Sequence, residues 1–161
     1  MSSKQRKILV VVTARPSYSR IKSALTAIQK HPKLELQLVL TASALLDRYG
    51  SAHKVIAADG FKIAERVFSV VEGDSLQTMA TTTGLGIQKL ADVFSRLQPD
   101  AVVTVADRFE TMATAIAASY MNIPLVHIQG GEVTGSIDEK VRHAITKLAD
   151  LHLVSTEQAK A

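Results

Sequence analysis

His127 to His143, HIQGGEVTGSIDEKVRH, packs the end of a strand, a glycine turn and the polar start of a helix into seventeen residues. The apolar run Leu125 to Ile128 stops here, and Gly130 and Gly131 let the backbone turn sharply or approach a ligand closely. Directly behind them Glu132, Asp138, Glu139, Arg142 and His143 supply acids, a cation and a titratable ring. Asp138 and Arg142 are four apart, so a helix opening at Asp138 puts them on one face, where an ion pair is worth roughly a few tenths of a kcal/mol.

The same grammar repeats outward from this stretch. Short, almost purely apolar runs, as expected of parallel strands covered on both faces, predict strands over Lys7 to Thr13, Leu34 to Leu40, Arg66 to Val70, Ala101 to Val105, Leu125 to Ile128 and Leu151 to Ser155. Between them lie helical patterns. Ser17 to Lys30 carries Ile21, Leu25 and Ile28 on one face and closes at His31-Pro32. A second, Ala44 to Ala58, is broken near Tyr49-Gly50, and a third runs from Asp74 to Leu97 with Asp74 or Ser75 as its N-cap. Gly84 and Gly86 inside it each cost about 1 kcal/mol relative to alanine, which points to close packing against a neighbour. Alanine-rich Arg108 to Met121 suits a helix packed tightly on a sheet, and Asp138 to Asp150 is the last helix. Six βα units imply right-handed crossovers and an α/β fold, a doubly wound, Rossmann-like parallel sheet formed by residues 1–161 as one domain.

Composition narrows the function. With 47% hydrophobic and 21% charged residues the chain can bury a core, so disorder is excluded. The absence of cysteine removes disulfides and thiolate zinc sites and suits a reducing cytosol. A formal charge of +4 is scattered along the chain without a basic block or interleaved aromatics, which argues against nucleic-acid partners. KILVVVTA is only as long as a buried strand and is followed at once by Arg15-Pro16, so it reads as a strand of a cytoplasmic protein, not a signal peptide. No apolar run reaches the roughly 20 residues that span a bilayer, so no membrane partner is expected.

In doubly wound sheets ligands bind beyond the carboxyl ends of the strands, near the switch between the first and fourth. Arg15, Ser17, Tyr18 and Ser19 follow strand one, Asp107 and Arg108 strand four, and Gln129 to Glu132 strand five. TARPSYSR lacks the glycines of GxGxxG, so no nicotinamide or flavin site is expected, and P-loop and metalloprotease patterns are absent. Arg15 and Arg108 suit the oxygens of a diphosphate, aided by Ser19 and a helix N-terminus, or else form surface salt bridges. Asp107, Glu132 and Asp138 form a carboxylate group able to divide acid and base roles, while Asp107 and Asp138 are alternatively helix N-caps. His143 is either a proton carrier or a partner of a helix carbonyl. His127, inside a buried strand, reads as structural.

KILVVVTARPSYS, the ADRFE of Ala106 to Glu110 and above all HIQGGEVTGSIDEKVRHAITKLAD resemble the hydrolysing UDP-N-acetylglucosamine 2-epimerases of sialic acid and related nonulosonic acid biosynthesis. The resemblance covers nearly the whole chain. It implies the N-terminal half of a glycosyltransferase-B-type fold, with the C-terminal UDP-binding lobe absent from this chain and a UDP-sugar held between lobes. It also implies conversion of UDP-N-acetylglucosamine to N-acetylmannosamine and UDP, through elimination to a 2-acetamidoglucal and hydration, without metal or other cofactor. Asp107 and Asp138 match acidic catalytic positions. Arg15, Ser19 and Arg108 match contacts to UDP, and Arg142 matches a position in the active-site helix that organises the carboxylates.

Two positions depart from the pattern. Gln129 stands where many members have a catalytic glutamate, and Ala44 where related enzymes place a histidine. An amide cannot exchange a proton as a carboxylic acid does, so either Glu132 takes the acid-base role, or the substrate differs, or the copy is impaired. These departures suggest a branch acting on a modified UDP-diacetamido sugar. The alternatives are a non-catalytic sugar-nucleotide half-site that assembles with another subunit or as a homo-oligomer, and a glycosyltransferase, against which the carboxylates argue.

Overall fold

A computed structural model describes residues 4–132 and 135–160; Val133 and Thr134 of the glycine-turn motif lie outside the described residues. The six strands are β1 (Arg6–Val12), β2 (Leu34–Thr41), β3 (Ile63–Val67), β4 (Ala101–Val105), β5 (Leu125–Ile128) and β6 (Leu151–Leu153). All pairings are parallel and the order is β3-β2-β1-β4-β5-β6, so the direction of winding reverses between β1 and β4. The helices are α1 (Arg15–Lys30), α2 (Ala52–Ala58), α3 (Leu76–Leu97), α4 (Phe109–Tyr120) and α5 (Ile137–Leu148).

Alternation along each strand feeds two apolar layers. Leu9 and Val11 of β1 join Val39, Val93, Phe94, Ala113 and Ile145 under α3, α4 and α5. Val10 and Val12 join Leu38, Leu40, Ile21, Leu25 and Ile56 under α1 and α2. Burial on both faces explains why these strands read as continuous apolar runs. Ser75 caps α3 by accepting from the Thr78 backbone at 3.1 Å. Gly86 lets α3 close on α4, since a Cβ there would lie 2.9 Å from that of Ala113, whereas Gly84 faces open space.

Several boundaries differ from the sequence reading: β6 ends at Leu153 and not at Ser155, α3 begins at Leu76 and not at Asp74, α5 ends at Leu148 and not at Asp150, and three others matter more. β3 is Ile63–Val67, not Arg66 to Val70: its pairing with β2 begins at Leu38↔Ile63 and ends at Thr41↔Val67, which leaves Val70 and Val71 to line a cleft. α1 starts at Arg15, two residues before Ser17, because Pro16 fits its first turn. The segment after β2 makes two 3-10 turns, Ala42–Leu45 and Asp47–Tyr49, before Gly50 at φ +85° releases the chain into α2. Among the described residues no helix is long and apolar enough to cross a membrane.

Candidate active site

The carboxyl ends of β4 and β5 carry two non-glycine residues in the left-handed region, Ala106 at φ +67° and Gln129 at φ +68°. Such backbone is uncommon outside glycine and persists only where its surroundings fix it. His127 supplies part of that fixing from beneath. It is fully buried, its Nε2 lies 3.0 Å from the Ala106 carbonyl and its Nδ1 3.2 Å from Thr146 Oγ1. Burial pushes the ring below its ordinary value, partly offset by the Ala106 bond, so it is the neutral ring that ties β5 to the β4 turn and to α5. Gly130 must be glycine for the same reason, since a Cβ would sit 2.9 Å from Thr146 Oγ1 and 3.0 Å from His127 Nδ1.

That platform presents Asp107. Its carboxylate receives Nη2 of Arg142, whose Nη1 donates to the Glu132 backbone carbonyl. Arg142 is 3% exposed, and burial lowers its pKa from the ordinary guanidinium value without making it neutral. The arginine therefore gathers strand four, the glycine turn and α5 around one buried positive charge. Two expectations are corrected here. Arg142 turns to Asp107 and not to Asp138, so the helical ion pair is not made, because the strand-end carboxylate meets the guanidinium where α5 packs on the sheet. Neither aspartate is a cap: the cap position of α4 is Arg108, and α5 is capped by Ser136, whose hydroxyl accepts from the Asp138 backbone at 3.3 Å. Asp138 lies half-buried in the first turn of α5, one turn before Arg142. His143 faces Glu139 at 3.9 Å instead of a helix carbonyl.

Arg15, Ser19 and Arg108 line a neighbouring cleft of about 400 Å³ together with Ser43 and Tyr49. Arg15 and Arg108 thus come together at the switch between β1 and β4. Arg108 is also held by Glu110 through a 3.1 Å bond, its partner carboxylate being 6% exposed. Gln129 is held by Arg20, which donates to its side-chain oxygen at 2.9 Å. Arg20, Ser43, Tyr49 and Glu110 were not singled out from sequence as binding groups. The switch-point rule locates the loops after β1, β2 and β4, but not which of their side chains turn inward.

A family model described as UDP-N-acetylglucosamine 2-epimerase matches residues 26–161. The chain belongs to this family. It is 37% identical over 156 residues to polysialic acid biosynthesis protein P7 of Escherichia coli, covering 96% of this chain and 40% of that protein. It is 36% identical to UDP-N,N'-diacetylbacillosamine 2-epimerase (hydrolyzing) of Legionella pneumophila, covering 96% of this chain and 41% of that one. The crystal structure of UDP-GlcNAc 2-epimerase from Neisseria meningitidis bound to UDP-GlcNAc superposes with a TM-score of 0.82 at 26% identity, over 96% of this chain and 42% of that one. The chain spans about two-fifths of the length of the relatives it matches.

Within this epimerase family fold, Ala44 is fully buried in the apolar layer under α1 and α2, and its backbone donates to Thr13 O at 2.9 Å.

Proposed function

We propose that this chain is the N-terminal lobe of a hydrolysing UDP-sugar 2-epimerase, acting on UDP-N-acetylglucosamine or on a UDP-diacetamido sugar, with a second lobe completing the cleft. The observation that carries the reading is the Asp107–Arg142 pair, locked to the Glu132 carbonyl at the strand ends. Asp107, facing Arg142, is the carboxylate that accepts a proton. It takes the proton from the sugar C2 as the C1–oxygen bond to the diphosphate breaks, leaving a C1–C2 double bond. Arg15, Arg108 and the N-terminus of α1 receive the departing diphosphate. Asp138, one turn before Arg142, takes a proton from a water molecule as its oxygen bonds to C1. Glu132, acting in its protonated form, gives its proton to C2 from the other face, which inverts that centre and gives the free sugar. Gln129 cannot carry this proton, so the acid-base work falls to carboxylates on either side of it.

Product analysis of the full-length enzyme tests the proposal. UDP and a free 2-epimeric sugar in equal amounts are expected from one of the two UDP-sugars. An acceptor conjugate would instead show a glycosyltransferase, and binding of UDP without turnover a non-catalytic sugar-nucleotide module.

A further inference from the structure

β4 lies between β1 and β5. Arg20 belongs to α1, the helix that follows β1, and Gln129 is the first residue past β5, yet Arg20 Nη1 donates to Gln129 Oε1 at 2.9 Å across 109 positions of sequence. The bond therefore crosses over the carboxyl end of β4, where Asp107 stands. Gln129 is fixed from below as well, its backbone being left-handed and its N–H donating to Leu153 O at 2.8 Å. An amide can turn either end toward a partner, because its oxygen and nitrogen are nearly isosteric. Arginine removes that freedom: it has no acceptor, so only the amide oxygen can face it. The NH₂ group is then turned away from Arg20 and has no partner among the described residues.

We propose that Arg20 is a positioning residue acting through Gln129: it turns the amide so that its N–H donors face the substrate, selecting a sugar with a hydrogen-bond acceptor there, the carbonyl of an N-acyl substituent. The proposal rests on the epimerase reading of this site and adds how the site chooses its sugar. A glutamate at 129 would offer acceptors in place of donors, so the departure from an acid at this position is a change of recognition as well as of proton chemistry.

Steady-state kinetics of the full-length enzyme with its N-acyl UDP-sugar test this, using Arg20→Met, Arg20→Lys, Gln129→Ala and the Arg20→Met/Gln129→Ala double variant. Arg20→Met should raise KM about tenfold with little change in kcat, the pattern of a lost binding contact. Arg20→Lys, which keeps one donor for the same oxygen, should recover most of the loss. In the Gln129→Ala background Arg20→Met should cost nothing further. A second tenfold loss in that background would overturn the proposal, because Arg20 would then be meeting the substrate itself. The side-chain amide resonances of Gln129 give a readout independent of turnover: Arg20→Met should shift them and speed their exchange with water, and unchanged resonances would also overturn it. If the wild-type enzyme releases no 2-epimeric sugar, the epimerase reading fails, while the amide resonances still decide whether Arg20 orients Gln129.

Discussion

Two acid–base clusters join elements of this molecule, and they do different things with the same chemistry. Between α1 and α2, Tyr18 donates to Asp59 at 2.5 Å and Lys22 pairs with the other oxygen of Asp59 at 2.7 Å. Lys22 is half-exposed, so water screens the pair and its contribution to stability is small. At the ends of β4 and β5, Asp107 and Arg142 make a pair from which water is almost excluded. Burying a guanidinium costs more than a surface pair does, and its Nε finds no partner among the described residues. An apolar pair would stabilise such a site at least as well. A costly charge pair at the strand ends, on a backbone held left-handed at Ala106, marks a site shaped by chemistry; the Tyr18 cluster marks a joint between helices.

Substitutions that treat the two clusters alike should separate them. Asp107→Asn keeps an oxygen for Arg142 but removes its counter-charge, so it should lose stability while still folding, and lower kcat of the full-length enzyme by about 10²–10⁴-fold, the range of a lost general base; Asp59→Asn, measured beside it, should leave kcat unchanged. Arg142→Met strips Asp107 of its counter-charge and the Glu132 carbonyl of its donor, and urea unfolding should register a loss of about 3 kcal/mol. Arg15→Ala should weaken UDP binding by about 2 kcal/mol in calorimetric titration, and unchanged affinity would return Arg15 to the role of a surface cation. Tyr18→Phe should cost about 1.5 kcal/mol of stability with no change in turnover, as the loss of a hydrogen bond to a charged group does.

The smallest effects are titrations of opposite sign. Burial holds His127 below its ordinary 6.5, so the unfolded chain binds its proton first: the stability it contributes is complete above about pH 6.5 and declines as pH falls below it. Burial, followed by the bond to Asp59, pushes the Tyr18 phenol above its ordinary 10.0, so its contribution is complete below pH 10 and declines as pH rises beyond it. Thermal melts across pH should show the decline that begins just below pH 6.5 weaken in His127→Asn and the decline that begins above pH 10 weaken in Tyr18→Phe.

The sheet could be read from sequence because burial on both faces leaves parallel strands as unbroken apolar runs, and β1, β2, β4 and β5 fall within one or two residues of the expected bounds. β3 could not be placed so well. Its exposed residues are Ala64 and Arg66, with the half-buried Glu65 between them, so no apolar run marks it and only pairing with β2 decides where it begins. The residues of the site were legible as types at strand ends, whereas their partners were not. Periodicity joins Arg142 to Asp138 within one helix; the packing of α5 on the sheet joins it to Asp107, 35 residues away. Arg20 was invisible for the same reason, since nothing local ties it to Gln129.

Deuterium incorporation tests the central role of Asp107 most directly. The full-length enzyme would turn over its UDP-sugar in D₂O while proton NMR follows C2 of the released sugar. One deuterium at C2 of the 2-epimeric product, with almost no product from Asp107→Asn, is the expected result. A product that keeps its original C2 proton, or an Asp107→Asn enzyme that works at the wild-type rate, would contradict it.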